Sequence, residues 1–282
     1  MVSIPFRLVD VFGERPLEGN QLCVLPDSPD LDAGLVQKLA REIGFSETTW
    51  VLEANPAGYR MRIFTPTTEM PFAGHPSLGT AYVLASLGRT GPRPVQTVEA
   101  GEFQMAVDLE AGESRMRQRD PVVGPAFADV AAVAAAVGLK PADLESPWPI
   151  RPVDTGLNQL IVPAATEDAV RRADPHGHAI RDVLDAAGGV GVYLFASETP
   201  GKALSRYFGP GVGVDEDPAT GSAAGPLGAY LAEHAGLRGR LTIRQGEQIG
   251  RPSVLRVDVD DGVWVLGRVH AIAEGAFELP DA

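Results

Sequence analysis

Two short stretches and one glutamate carry the residue types from which proton chemistry could be built. The first stretch, Thr65 to Leu84, contains Phe72-Ala73-Gly74-His75-Pro76-Ser77-Leu78-Gly79. An apolar run, Met61 to Phe64, feeds a polar turn, and Leu78, Ala81, Tyr82 and Leu84 then recur at helical spacing. Pro76 suits the first helical turn, where its missing N–H would be unpaired in any case. Gly74 permits a close approach that a Cβ would block. His75 and the N–H groups around it would then crown a buried helix, in the positive field of its N-terminus, a place that binds anions. An ordinary strand–turn–helix with a surface histidine accounts for the same residues.

The second stretch is Asp215-Glu216-Asp217-Pro218-Ala219-Thr220-Gly221-Ser222-Ala223-Ala224-Gly225. Thr220 or Ser222 can cap a helix running to about His234. Two explanations of the small residues compete. They let helices or lobes pack closely, or they leave room for a ligand carboxylate against backbone N–H groups. The glutamate is Glu47, in Phe45-Ser46-Glu47-Thr48-Thr49-Trp50, at a helix-to-strand junction among apolar and hydroxyl residues. A carboxyl there could be partly desolvated and its pKa raised into a useful range for proton transfer. The competing reading is a glutamate at a strand start pointing to water.

Other chemistries fit poorly. The formal charge of −13 argues against nucleic acid and anionic membrane surfaces as partners. The single cysteine, Cys23, lies in an apolar run and reads as a small buried hydrophobe. It excludes an internal disulfide and a cysteine zinc site. Gly209-x-Gly211-x-Gly213 brings its third glycine too early for a dinucleotide fingerprint, and Asp215, Glu216 and Asp217 would face the pyrophosphate. No Walker A motif is present. His176-Gly177-His178 has no completing ligand set nearby and reads as a loop, so neither metal nor cofactor is expected. With no signal-peptide pattern and no run of 18 apolar residues, a cytoplasmic setting is expected.

The elements that must position these residues come in a repeating order. A strand over Ile4–Phe12 and a short one over Leu22–Leu25 lead to a helix over 32–43 that ends at Gly44. A strand over Glu47–Leu52 then pairs with Tyr59–Phe64 around Asn55-Pro56-Ala57-Gly58. After the helix of 76–87 come strands at Val95–Glu99, Glu102–Leu109 and Ser114–Arg119. An alanine-rich helix spans Ala128–Val137. From about residue 150 the chain starts over. Asn158-Gln159-Leu160 echoes Asn20-Gln21-Leu22, each followed by a proline, a helix (178–187 in the second copy) and a strand (Val190–Ala196). Pro218-x-x-Gly221 mirrors Pro71-x-x-Gly74. A glycine-rich turn then leads to the second long apolar helix. Strands at Arg240–Gln245, Val254–Val259, Val263–Val269 and Ala271–Phe277 close the chain.

This order predicts an α+β fold of two pseudo-symmetric lobes, each a mostly antiparallel, barrel-like sheet around a central helix. The first lobe takes residues 1–120, with a strand at about 270–282 rejoining it, and the second takes 121–269. One anion site between the lobes is then the better reading of the paired helix starts.

Four motifs together resemble the phenazine-biosynthesis PhzF-like isomerase family. They are Ser46-Glu47-Thr48-Thr49; Thr65-Pro66-x-x-Glu69-x-x-Phe72-Ala73-Gly74-His75-Pro76; Glu216-Asp217-Pro218-Ala219-Thr220-Gly221-Ser222-Ala223; and Gln245-Gly246-x-x-x-Gly250-Arg251-Pro252-Ser253. The resemblance covers nearly the whole chain and implies the diaminopimelate epimerase-like fold. Diaminopimelate epimerase works with two thiols, for which this chain has Ala73 and Pro218 in place. The resemblance instead implies Glu47 as proton shuttle, with His75 and Asp217 orienting the substrate. Gly74, Thr220, Gly221 and Ser222 would hold its carboxylate. It also implies a homodimer that isomerises a small, cyclic carboxylic or amino acid without cofactor, in the manner of trans-2,3-dihydro-3-hydroxyanthranilate isomerisation. The alternatives are a racemase, epimerase or dehydratase of another amino acid, or a small-acid-binding protein without turnover.

Overall fold

The computed structural model describes residues 2–27 and 30–279. In chain order its elements are β1 (Val2–Val11), β2 (Asn20–Leu25), α1 (Ala33–Ile43), β3 (Glu47–Asn55), β4 (Gly58–Phe64), β5 (Glu69–Met70), α2 (Gly74–Ser86), β6 (Val95–Val98), β7 (Gly101–Asp108), β8 (Glu113–Arg117), β9 (Val122–Val123), α3 (Val130–Ala136), β10 (Arg151–Asp154), β11 (Asn158–Pro163), α4 (Glu167–Arg172), α5 (Gly177–Ala187), β12 (Val192–Thr199), β13 (Lys202–Gly209), β14 (Val214–Asp217), α6 (Gly221–His234), β15 (Arg240–Gln245), β16 (Ser253–Asp258) and β17 (Trp264–Leu279). The chain divides into two compact units, Met1–Arg117 with Leu266–Ala282, and Gln118–Val265.

In the first unit the strands form a closed ring. β1 pairs with β2 and β17, β2 with β3, β3 with β4, β4 with β6, β6 with β7, β7 with β8, and β8 with β17. Most pairs are antiparallel, whereas β2–β3 and β4–β6 are parallel. A helix intervenes in both parallel cases, α1 and α2, because a parallel neighbour needs a crossover. The ring wraps α2, which packs on β1, β2, β3, β7 and β8. Gly79 makes this possible: a Cβ there would run into Leu22 and press on Val9 and Val11. A helix apolar all round is a core helix, and α2 buries every residue from Gly74 to Ala81.

Outside the ring, α1 covers Ile4, Cys23, Leu25, Trp50 and Phe64 with Val36, Leu39 and Ala40. Asp32 caps its start by accepting from the Leu35 N–H. Gly44 ends it in the left-handed region at φ 70°, a conformation costly for any residue with a Cβ. Cys23 is fully buried there, and burial pushes its thiol up to about 12.

The second unit repeats the pairing order. β11 runs parallel to β12, β12 antiparallel to β13, β13 parallel to β15, and β15 antiparallel to β16. Its central helix, α6, packs on β10, β11 and β16. Helices α3, α4 and α5 cover the outer face, around Val133, Val170, Val183, Leu184, Leu194 and Phe208.

Boundaries depart from the sequence reading in physical ways. The two strands expected at Val263–Val269 and Ala271–Phe277 are one strand, β17. Its register against β1 slips between Leu8 and Val9, which face Ala273 and Ala271. Ile272 is the extra residue of that bulge, and a bulge bends a strand without ending it. Strand β13 has no local signature because its middle, Leu204-Ser205-Arg206-Tyr207, is buried at polar and apolar positions alike. No alternation marks it. Helix α2 starts two residues before Pro76, which is the third helical residue; that position is still one where a helix makes no N–H bond, so the N–H that proline lacks costs nothing.

Candidate active site

In the first unit the groups gather around the start of α2. The helix begins at Gly74 after Ala73, without a side-chain cap and with no acid in its first turn. Its positive end is therefore not neutralised by its own sequence. His75 is the second helical residue and is 3% exposed. Asn20, the first residue of β2, places its side-chain nitrogen 3.1 Å from His75 Nδ1. Ser46 donates to the Asn20 oxygen at 3.2 Å, so the Asn20 amide presents its N–H to the ring and Nδ1 accepts. Nε2 then carries the proton, and it lies 3.3 Å from the Gln21 carbonyl. Burial lowers the His75 pKa to about 3, against a smaller upward pull from the Gln21 carbonyl. At neutral pH the ring is an uncharged donor.

Glu47 opens β3 beside β2, where it is the register partner of Leu22. Its Oε2 lies 3.5 Å from His75 Nε2, and its side chain is 14% exposed. The sequence placed these residues 28 positions apart; parallel pairing of β2 with β3, with α2 against both, brings them together.

In the second unit the corresponding groups surround the start of α6. Asp217 ends β14 and is 5% exposed. Thr220 precedes α6, yet its hydroxyl does not cap the helix: it donates to Asp217 Oδ2 at 2.6 Å. Thr220 O accepts from the N–H groups of Ala223 and Ala224. Gly221 and Ser222 open the helix, again with no side-chain cap and no acid in the first turn. Gln159 Nε2 lies 3.5 Å from Ser222 Oγ. The small residues that follow are packing residues. Ala223 and Ala224 are fully buried, and a Cβ on Gly225 would strike the Gln118 side chain.

A matching clamp holds the short strand before each helix. Arg62 in β4 grips Glu69 in β5 through two bonds of 2.7 and 2.6 Å. Arg206 in β13 grips Glu216 in β14 through two bonds of 2.8 and 2.7 Å. Each guanidinium also stacks on the aromatic ring two residues later, Phe64 or Phe208, at 5.3 and 5.0 Å. Hydrogen bonding to Glu69 raises Arg62 above its ordinary value.

His176 precedes α5 and His178 lies within it. Among the described residues no group of three or more His, Cys, Asp or Glu is placed to hold a metal ion. No helix among them is long and apolar enough to cross a membrane.

The architecture, a mixed α/β fold with a closed sheet around a central helix, is shared with a hydroxyproline epimerase from Agrobacterium vitis. That structure is 13% identical at a TM-score of 0.63, over 98% of this chain and 93% of the other, a likeness of fold alone. The family is set by closer matches. The model of phenazine biosynthesis-like proteins matches residues 9–273, and the chain belongs to that family as a PhzF-like isomerase. A trans-2,3-dihydro-3-hydroxyanthranilate isomerase from Pseudomonas aeruginosa is 37% identical, over 98% of this chain and 93% of its own. A PhzF-family structure from Bacillus anthracis matches 99% of this chain and 100% of its own at a TM-score of 0.86 and 27% identity. A Pseudomonas aeruginosa structure described as a predicted epimerase matches over the same shares, at 0.88 and 36%.

Proposed function

We propose that this isomerase moves a proton on a small, cyclic carboxylic or amino acid, as on trans-2,3-dihydro-3-hydroxyanthranilate, with Glu47 as general acid and base and no cofactor. The observation that carries this reading is the Glu47–His75 pair. A largely buried carboxyl stands beside a histidine that is neutral at working pH, so the imidazole orients by hydrogen bonding and adds no positive charge. In this reading the Glu47 carboxylate takes a proton from C3 of the ring, and the protonated Glu47 returns it to another ring carbon. The electron pair of the broken C–H bond forms a new double bond to C3 as the ring double bonds shift toward the carbon that takes the proton. The C3 hydroxyl is then an enol, which becomes a ketone when its O–H proton leaves and the adjacent carbon gains one. Such a relay needs an acid whose proton moves both ways and an anion site that holds the ring still. Gly74, Thr220, Gly221 and Ser222 are assigned to the substrate carboxylate, and His75 and Asp217 to the reacting part. The working state is a cytoplasmic homodimer, which light scattering and fractionation test.

The test is turnover of trans-2,3-dihydro-3-hydroxyanthranilate in D2O. The wild-type protein washes deuterium into ring carbon and Glu47→Gln does not. Full turnover by Glu47→Gln rejects the assignment. A protein that binds the acid without exchange is a binder and not an enzyme. Epimerisation is the second reading, favoured by the relative described as an epimerase. It returns deuterium to the carbon that lost the proton, with inversion, whereas isomerisation delivers it to a different carbon.

A further inference from the structure

Each unit buries a glutamine that joins a buried tyrosine to the start of its central helix, and neither glutamine belongs to the groups assigned above; Gln118 and Gln159 also reach the start of α6, at Gly221 O and Ser222 Oγ. Gln245, the last residue of β15, is fully buried. Its Nε2 donates to Asp217 O at 2.8 Å and to Thr220 Oγ1 at 3.0 Å. Its Oε1 accepts from Tyr193 OH at 2.9 Å and from Thr220 N at 3.4 Å. Ser205 Oγ donates in turn to Tyr193 OH at 2.9 Å. Burial pushes the Tyr193 phenol well above its ordinary value, which keeps the donor proton in place.

The chain of bonds has one direction. The Thr220 hydroxyl owns a single proton and gives it to Asp217, so toward Gln245 it can only accept. Each link from Ser205 through Tyr193, Gln245 and Thr220 therefore donates toward the Asp217 carboxyl. The next residue, Gly246, sits at φ 79° in a corner where a Cβ would meet the Pro218 and Arg251 carbonyls, which locks the amide beside the Asp217–Pro218 turn.

The first unit has the same part. Gln96 in β6 is fully buried and pairs in register with Tyr59 of β4. Tyr59 OH donates to Gln96 Oε1 at 2.9 Å, and Gln96 Nε2 donates to Ser77 Oγ at 2.9 Å. Ser77 spends its proton on Ala73 O at 2.7 Å. Because the peptide is planar and trans, holding the Ala73 carbonyl turns the Gly74 N–H the opposite way, off the helix end.

We propose that Gln245 and Gln96 are paired positioning residues: Gln245 sets the Asp217 carboxyl through Thr220, and Gln96 sets the Gly74 N–H through Ser77. A glutamine buried only to fill space would be a costly choice, since its amide must be satisfied. Here both ends of each amide are spent on helix-start groups and the tyrosine behind them.

The inference rests on the proposed function for its kinetic readout. With trans-2,3-dihydro-3-hydroxyanthranilate as probe, Gln245→Met keeps the side chain's size and removes the donors. It lowers kcat about 10- to 100-fold with KM within about twofold, the size expected for a lost bond to a charged group. Thr220→Val lowers kcat by a similar factor, and the double variant adds no further loss in kcat, because both cut one relay. Gln96→Met instead raises KM about tenfold and leaves kcat nearly intact, as loss of uniform binding does. Wild-type kcat in Gln245→Met, or fully additive losses in the double variant, overturns the proposal. Should Gln245→Met not fold, Thr220→Val carries the comparison. If the wild-type protein does not turn over the probe, the functional reading fails, and crystal structures of the same variants decide the positioning separately. A rotated Asp217 carboxyl and a turned Gly74 peptide support it; both unmoved overturns it.

Discussion

The two sheet-wrapped helices follow one plan but carry their acids at different points of it. In the first unit the residue beside Leu22 across the parallel pair is Glu47, and the residue before Pro71 is Met70. In the second unit the residue beside Leu160 is Val192, and the residue before Pro218 is Asp217. Each unit thus places an acid where its counterpart has an apolar side chain. Two carboxyls at one helix end would repel in a low-dielectric setting, and one would be forced to stay protonated. Their supports differ as well. Glu47 stands beside a neutral imidazole oriented by Asn20 and the Gln21 carbonyl. Asp217 accepts from the Thr220 hydroxyl, which in turn accepts from the Gln245 amide. One plan thus serves two kinds of acid: each unit has an uncapped helix start, a clamp and a buried glutamine, while the acid and the groups that hold it differ.

The largest expected effect is at Glu47. Glu47→Gln should lower kcat by roughly 10²- to 10⁴-fold, the range of a lost general acid–base group. Its counterpart change, Val192→Ile, should leave kcat within about threefold, because one added methylene at this buried position disturbs packing and removes no proton-transfer group. An equal loss from both would break the contrast between the units.

The clamps come next. Arg206 and Glu216 are 7% and 13% exposed, whereas Arg62 and Glu69 are 34% and 32% exposed. Arg206→Met strands a buried carboxylate and should cost about 3–5 kcal/mol in urea unfolding. Arg62→Met leaves Glu69 within reach of water and should cost about 1 kcal/mol or less. Gly79→Ala should cost about 1–3 kcal/mol, since the new methyl overlaps Leu22.

The last contrast is one of pH: His75 confers acid sensitivity on the first unit. Its folded pKa of about 3 lies below the ordinary 6.5. Between those values the unfolded chain holds a proton that the folded chain does not, so stability falls as pH drops. The slope approaches about 1.4 kcal/mol per pH unit across that window. It should disappear in His75→Phe, measured as unfolding midpoints from pH 7 to pH 4. An unchanged slope would mean that other groups govern acid unfolding.

Much of the fold was legible because its signals are local. The α1 boundaries follow from Asp32, the apolar stripe of Leu35, Leu39, Ala40 and Ile43, and Gly44. The β3–β4 hairpin follows from Asn55, whose side chain accepts from the N–H groups of Ala57 and Gly58. The α+β class followed from the order of the elements, and family membership from four short motifs. By contrast, β13 hides a buried arginine and serine that no local pattern explains. Helix α4 is six residues long and too short to show a period.

By itself, then, the amino-acid sequence determined where the turns, caps and helix starts fall, since φ restriction and apolar spacing act over a few residues. Only the tertiary structure decided which buried polar groups meet. Gln245 reaches Thr220 from 25 residues away, and Gln96 reaches Ser77 from 19. Nothing in a single segment indicates that a buried amide has found its partners; that depends on strand register and on how closely glycine lets a helix approach the sheet.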